Sequence, residues 1–287
     1  MRIVKPSYEI WDRSGCPLAL IERAARVCYQ SEPNGDTEGF IRRILARRPP
    51  HGSVLEHAWF AASDVGCGLD VPPFMVYDED QSLMLGNARA WRNAIRKGLI
   101  ELPGGLREAC PVLFGEFAYP SRFRTCISIK PTPDDSVFTV NFIFDRGVSH
   151  EIVRHRDKIS FSQESTRFVD YGGGGIAVIH PPEGTLTEMQ LERRERLYRQ
   201  IEEVYTAERR EGIAPQIARG VLPTATKTQI VVTAYWMEWQ IMFALRAAPP
   251  AHPQMRELMV PLQQELAEKY PEKFSDAVIE EVRNDIA

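Results

Sequence analysis

The chain has 287 residues, 44% of them hydrophobic, with 35 Lys and Arg against 39 Asp and Glu for a net charge of −4. Its 19 Gly and 21 Pro are ordinary for a globular protein, so disordered and collagen-like chains are excluded and a sizeable core can be buried. The acidic balance supplies no global positive field for nucleic acid, while a local basic site for a small anion stays open.

The opening residues predict a short strand at Ile3-Val4, ended by Pro6, and then helices over 18–28 and 37–46. HGSVLEHAWF follows, with Ser53 either as a helix N-cap or at the entrance to a strand through Trp59 and Phe60. Residues 62–135 read as an insertion, rich in Asp, Pro and Gly, around one helical stretch, SLMLGNARAWRNAIRKG, that Gly98 can end. VFTVNFIF then alternates Phe138, Val140, Phe142 and Phe144 with Thr139 and Asn141, the pattern of a half-buried strand. Asp145-Arg146-Gly147 supplies a turn, and Ser149 a cap for a helix from His150 to about Lys158.

After the glycine run 172–175, Thr187 and Gln190 form a capping box for a helix reaching Gly212. Leu191, Leu197, Tyr198, Ile201, Val204 and Tyr205 are its apolar positions. Further helices are expected over 216–222, 227–246, 253–269 and 273–283. The class is α+β: an antiparallel-sheet core with a helix-rich second half, in a single domain over 1–287.

The chemistry concentrates in RHRDKISFSQESTRFVDY, residues 154–171. Arg154, Arg156, Lys158 and Arg167 surround Ser160, Ser162, Gln163 and Ser165. Guanidinium forks and hydroxyls recognise phosphate, and an amide reads the donor and acceptor edge of a base. If the helix persists through Arg156, Arg154 and Arg156 lie about 200° apart, so they serve two ligands or two subunits. Taken alone, arginines at a helix C-terminus do no more than complement its dipole.

The whole arrangement resembles the flavin-dependent thymidylate synthases, whose signature is Arg-His-Arg followed after a short spacer by Ser-x-Arg. The likeness runs through RAARVCY (23–29), HGSVLEH (51–57), RGVSHEIVRHR (146–156), SFSQESTRF (160–168), ARGVLPTATKT (218–228) and Leu245-Arg246 with His252 and Gln254. It implies conversion of dUMP to dTMP, with methylenetetrahydrofolate as carbon donor and NADPH-reduced FAD as reductant. It also implies a homotetramer with sites shared between subunits, and the fold of that family.

Carried over residue by residue, the resemblance makes Arg246 and Ser165 the catalytic candidates, Arg246 by polarising the uracil. Glu151, Arg154, Gln163, Ser165, Arg167, Arg219 and Arg246 become nucleotide-binding positions, and Ser53, Glu56, Arg154, His155, Arg156 and His252 flavin-binding ones. There are two departures. The spacer 157–164 is one residue longer than usual, the addition lying within Asp157-Lys158-Ile159. Tyr235 and Met237 stand where the family often carries Asn and Arg, while Asn87 and Arg89 of the insertion repeat that Asn-x-Arg-x-Trp pattern and are expected to replace the lost flavin contacts.

Other features carry less chemistry. His51 and His57 flank Glu56 six apart, which does not fit a zincin helix, so no metal is expected. The four-glycine run lacks the G-x-G-x-x-G context of a dinucleotide fold. Trp236, Trp239, Met242 and Phe243 form an apolar helical face suited to a core or a subunit interface. The five cysteines (Cys16, Cys28, Cys67, Cys110, Cys126) are widely spaced, without a C-x-x-C pair, and read as reduced thiols; Cys110 and Cys126 are packing residues and not nucleophiles. No signal-peptide core opens the chain and no stretch of about 20 apolar residues occurs, so a soluble cytoplasmic protein without membrane contact is expected. Two rival readings keep parts of this pattern: a UMP methylase with the same chemistry, and a nucleic-acid-binding module, which the acidic charge disfavours.

Overall fold

The computed structural model describes residues 1–47, 51–63, 71–100, 102, 104–117, 129–130 and 132–286; Cys67 and Cys126 lie outside the described residues. Strands β1 (Arg2–Val4) and β2 (Ser7–Ile10) precede the helices Pro17–Tyr29 and Thr37–Ala46. The first of these helices starts with Pro17 and stops at Gln30 in the left-handed region. Asp36 caps the second, accepting from the Gly39 amide at 2.9 Å.

A 3-10 helix, Gly52–His57, leads into β3 (Trp59–Ser63). Both readings of this stretch hold in part, but His51 and not Ser53 stands at the N-cap, with no side-chain bond. β4 (Met75–Asp78), β5 (Leu83–Asn87) and β6 (Ile129–Lys130) join β3 in an antiparallel sheet of order β4-β5-β3-β6. The predicted helical stretch 82–98 is therefore half strand: only Ala88–Arg96 is helical, capped by the Asn87 side chain and followed by Gly98 at φ 68°. Leu83, Met84 and Leu85 are all buried, so this strand shows no alternation to separate it from a helix.

The central sheet has the order β2-β7-β10-β8, where β7 is Val137–Asp145, β8 is Ile159–Gln163 and β10 is Lys227–Tyr235. All its pairings are antiparallel; β1 pairs in parallel with β9 (Ala177–Ile179) in a separate two-stranded sheet. The predicted helix 227–246 is two elements, since KTQIVVTAY is β10 and Trp236–Arg246 alone is helical. Ile230, Val231, Val232 and Thr233 are β-branched; β10 is paired on both edges, and packing on each side of the sheet buries both its faces.

On one face Phe138, Val140, Phe142 and Phe144 meet Trp239, Met242 and Phe243 of the helix Trp236–Arg246 and Met255, Leu258 and Leu262 of the helix Pro253–Lys269. Burying a phenylalanine of this kind contributes roughly 1.5–3 kcal/mol, so this interlayer is a large source of stability. The other face is also closed, against Trp11, Ala24 and Val27, which corrects the half-buried reading of β7: Thr139 and Asn141 are buried.

Hydroxyls in a closed layer need partners. His57 provides them, its Nδ1 lying 2.8 Å from the Thr233 hydroxyl and its Nε2 2.9 Å from that of Ser162, while Thr139 and Thr233 are bonded at 2.8 Å.

The second half is helix-rich as expected. Glu188–Arg210 carries the predicted capping box, but of its apolar positions only Tyr205 is buried, and Leu197 and Val204 are exposed. The expected helix over 216–222 is Pro215–Ala218 followed by the 3-10 turn Arg219–Val221, and the expected helix over 273–283 is Pro271–Phe274 followed by Asp276–Asp285. Among the described residues no helix is long and apolar enough to cross a membrane, and no group of three or more His, Cys, Asp and Glu is placed to hold a metal ion.

Candidate active site

β7 delivers the chain to Asp145, whose carboxylate accepts from the Val148 amide at 2.7 Å and starts the helix Arg146–Ile152. The helix stops there and not near Lys158, so Arg154, His155 and Arg156 lie beyond it. Their divergence, inferred above from helical rotation, is instead a property of the turn. Arg154 Nε donates to the His150 carbonyl at 3.2 Å, His155 turns to Arg246, and Arg156 lines a cavity together with Phe74, Arg89 and Leu99.

Lys158 then takes φ 45°, and β8 begins at Ile159 paired with Ala234. The Gln163-to-Arg167 segment follows from the end of β8, with Gln163 opposite Ile230.

Three groups of the expected residues result. The first is Glu151, His155 and Arg246. Arg246 Nε donates to His155 Nε2 at 3.0 Å, and its Nη1 is 3.6 Å from Glu151 Oε2. Burial first, and the neighbouring guanidinium second, push His155 down to about 4. The ring is therefore neutral near pH 7, accepts through Nε2 and carries its proton on Nδ1.

The second group is the loop after β8. Gln163 Nε2 donates to the hydroxyls of Ser149 at 2.9 Å and Thr228 at 3.2 Å, so this amide is committed within the chain. The Ser165 amide donates to the Cys28 carbonyl at 3.0 Å, and its hydroxyl accepts from the Arg167 amide at 3.3 Å. Arg219 Nη1 reaches the Thr166 hydroxyl at 3.2 Å, and the Arg167 guanidinium lies 5.4 Å from the Phe168 ring centre. Ser149 joins the two groups, being bonded to Gln163 and two residues ahead of Glu151.

Glu164, within this loop, was not singled out by the sequence. It is 2% exposed and accepts from Lys227 Nζ at 2.7 Å, the Tyr171 hydroxyl at 2.7 Å and the Gln229 amide at 3.2 Å. Its one legible signal was a carboxylate in the middle of a strand-to-loop run of uncharged polar residues.

The third group lines a cavity of about 250 Å³: Glu56, Asn87, Arg89, Arg156 and Lys158. Arg89 pairs with Glu56 at 2.5 Å, and burial raises the Glu56 carboxyl while Arg89 opposes the rise. Asn87 Oδ1 accepts from the Ala90 amide at 2.9 Å, so the oxygen expected to meet a ligand is spent on the helix cap.

Two expected residues stand apart from these contacts. Ser53 lies half-buried in the 3-10 helix. His252 caps the helix Pro253–Lys269 and lines a different cavity beside Asp145 and Gln254. Another cavity, of about 810 Å³, is lined by Trp11, Arg13, Trp59 and Lys269 and by none of the expected residues. Cys110 is buried and pushed up to about 11, unsuited to act as a nucleophile.

A sequence profile described as "Thymidylate synthase complementing protein" matches residues 134–272, which contain both the Arg-His-Arg turn and Arg246. Curated flavin-dependent thymidylate synthases align as well. That of Mycobacteroides abscessus is 32% identical over 144 residues, covering 46% of this chain and 57% of the relative, and that of Corynebacterium diphtheriae is 35% identical over 146 residues with the same coverage. Over that stretch the chain is similar to this family. It spans little more than half the length of the family members it matches. Two structures of the Streptomyces cacaoi UMP/dUMP methylase PolB, with 5-Br dUMP and with 5-Br UMP, superpose at TM-scores of 0.44 and 0.46 with 18% and 17% identity; each alignment covers 93% of this chain, and 93% and 92% of the respective neighbour.

Two histidines, the buried His57 and the half-buried His155, make stability depend on pH. His57 is pushed down to about 3, by burial and then by Arg13, and His155 to about 4, both from an ordinary 6.5. Below pH 6.5 the unfolded chain binds two protons that the native state refuses, so stability is full above that value and lost as pH falls. Each histidine contributes about 1.4 kcal/mol per pH unit. Urea unfolding at pH 7, 6 and 5 is expected to show this fall, and His57→Asn to halve its slope; a flat profile over this window contradicts the buried neutral assignment.

Proposed function

We propose that this protein methylates carbon 5 of a uracil nucleotide, dUMP by default, using methylenetetrahydrofolate as carbon donor. The observation that carries the reading is the convergence of Arg246 on Glu151 and His155, which brings together residues from distant blocks of the chain. A neutral His155 orients the guanidinium without cancelling its charge. In this reading Arg246 faces the uracil, where a fixed cation stabilises negative charge developing on the ring as carbon 5 attacks.

Arg154, Gln163, Ser165, Arg167 and Arg219 hold the nucleotide, the loop itself being kept in place by Glu164. The carbon donor's one-carbon unit must be reduced, and FAD recharged by NADPH supplies those electrons when bound. Four side chains that line one cavity, Glu56, Asn87, Arg89 and Arg156, suit an anionic dinucleotide and would hold it, with Ser53 and His252 contributing from outside that cavity. The reading includes a cytoplasmic homotetramer whose subunits share sites.

One assay containing FAD, NADPH, methylenetetrahydrofolate and either dUMP or UMP tests this, with nucleotides separated by chromatography. A methylated uracil nucleotide is the expected product. Preference for UMP by more than about tenfold, roughly 1.4 kcal/mol, transfers the assignment to the ribonucleotide. NADPH oxidation without a methylated product overturns it, as does salt-sensitive nucleic-acid binding without flavin.

The insertion's part is tested separately. The double variant Asn87→Ala with Arg89→Ala is expected to weaken FAD binding about tenfold, the equivalent of 1.4 kcal/mol, in a fluorescence titration. Unchanged affinity removes the insertion from the flavin site.

A further inference from the structure

Within Asp157-Lys158-Ile159, at the entrance to β8, one residue adopts a backbone conformation that L-residues keep only where their surroundings hold them. Lys158 has φ 45°, one of four non-glycine residues with positive φ among the described residues. Its ammonium lies 3.3 Å from Asp157 and 3.7 Å from Glu238, a carboxylate that is itself 8% exposed. Those acids stand behind it. In front is the cavity of about 250 Å³ between the insertion and the Arg-His-Arg turn, which Lys158 lines together with Arg89, Lys97 and Arg156.

Four cations therefore face one lining carboxylate, Glu56, and Arg89 already pairs with that at 2.5 Å. The first turn of the helix Ala88–Arg96 adds the positive end of its dipole, since Asn87, Arg89 and Ala90 line the same wall. Uncharged and apolar groups such as Phe74 and Leu99 close the rest. A cavity of this size is below the roughly 300–1,000 Å³ that takes a drug-sized molecule, so it suits the charged middle of a dinucleotide and not the whole of one.

We infer that this cavity binds the diphosphate of a dinucleotide, and that Lys158, which lines it from the entrance to β8, is one of its phosphate contacts. The inference rests on the flavin reading above for the identity of the dinucleotide, and on the cavity's charge for the diphosphate. The left-handed turn places an ammonium where an extended residue would continue β8 one position earlier.

Three ligands distinguish the possibilities: FAD, riboflavin, which has the ring without phosphate, and inorganic pyrophosphate. Equilibrium binding is measured for the wild-type protein, for Lys158→Met, and for Lys158→Met with Glu238→Gln, which leaves no unpaired buried carboxylate if the single variant folds poorly. The expected result is at least tenfold weaker binding of FAD and of pyrophosphate, a smaller salt dependence, and riboflavin affinity unchanged within twofold. FAD bound equally by wild type and both variants overturns the inference and leaves the flavin reading intact. Lys158-dependent pyrophosphate binding with no flavin bound keeps the anion site and overturns the flavin reading. Binding of none of the three overturns both.

Discussion

Arg246→Gln is expected to lower kcat/KM for uracil-nucleotide methylation by about 10²–10³, the usual effect of removing one fixed donor from developing charge. The fold should tolerate it, because Arg246 is held by two contacts at the end of the helix Trp236–Arg246 and not by the core. Arg246→Lys should recover little: a compact ammonium cannot keep the side-on bond to His155 Nε2 while facing a second acceptor, as a planar fork can. A readout independent of turnover comes from His155, whose titration should move back towards 6.5 once the adjacent positive charge is gone. Retention of more than a tenth of the activity by Arg246→Gln would remove this residue from the chemistry.

Lys227→Met should destabilise the protein by about 3 kcal/mol, because it strands the buried Glu164 carboxylate with two neutral donors, the Tyr171 hydroxyl and the Gln229 amide. The loop would suffer with it. Glu164 also donates its amide to the Gln229 carbonyl at 2.8 Å, and Arg146 reaches the Glu164 carbonyl at 3.3 Å, so the start of the Ser165-Thr166-Arg167 segment is fixed from three sides. The double variant Glu164→Gln with Lys227→Met leaves no charge in the layer and should regain most of the lost stability. Burial and the same carboxylate push the Tyr171 hydroxyl strongly upward, so it remains a donor throughout the working range. Urea unfolding of the three variants measures the effect, and a loss below about 1 kcal/mol for Lys227→Met would mean the pair does not hold the loop.

Local signals located several elements closely. The helix Thr37–Ala46, the helix Pro253–Lys269 with Pro253 at its start, and the capping box of Thr187 and Gln190 all rest on a few neighbouring residues. The alternation in VFTVNFIF located β7, and the Arg-His-Arg turn, Ser-x-Arg loop and Arg246 carried the resemblance to the flavin-dependent thymidylate synthases. These are properties of short stretches, and the chain carries them whatever its neighbours do.

Only the tertiary structure decided which of two apolar segments become strands. LMLGN and KTQIVVTAY carry no alternation because both faces are buried, and their state is set by partner strands far away in sequence: Leu85 against Ala61, and Val232 against Val140 and Phe161. The same holds for the candidate site. A sequence shows that Glu151, His155 and Arg246 are present, but their contact depends on β7, β8 and β10 pairing in one register, which local propensity does not specify. The left-handed Lys158 belongs here too, since it follows from β8 having to begin opposite Ala234. What the residues determine by themselves is the chemistry available and the local geometry of caps and turns; pairing across the sheets decides where that chemistry meets, because it is paid for by burial between segments that no short window contains.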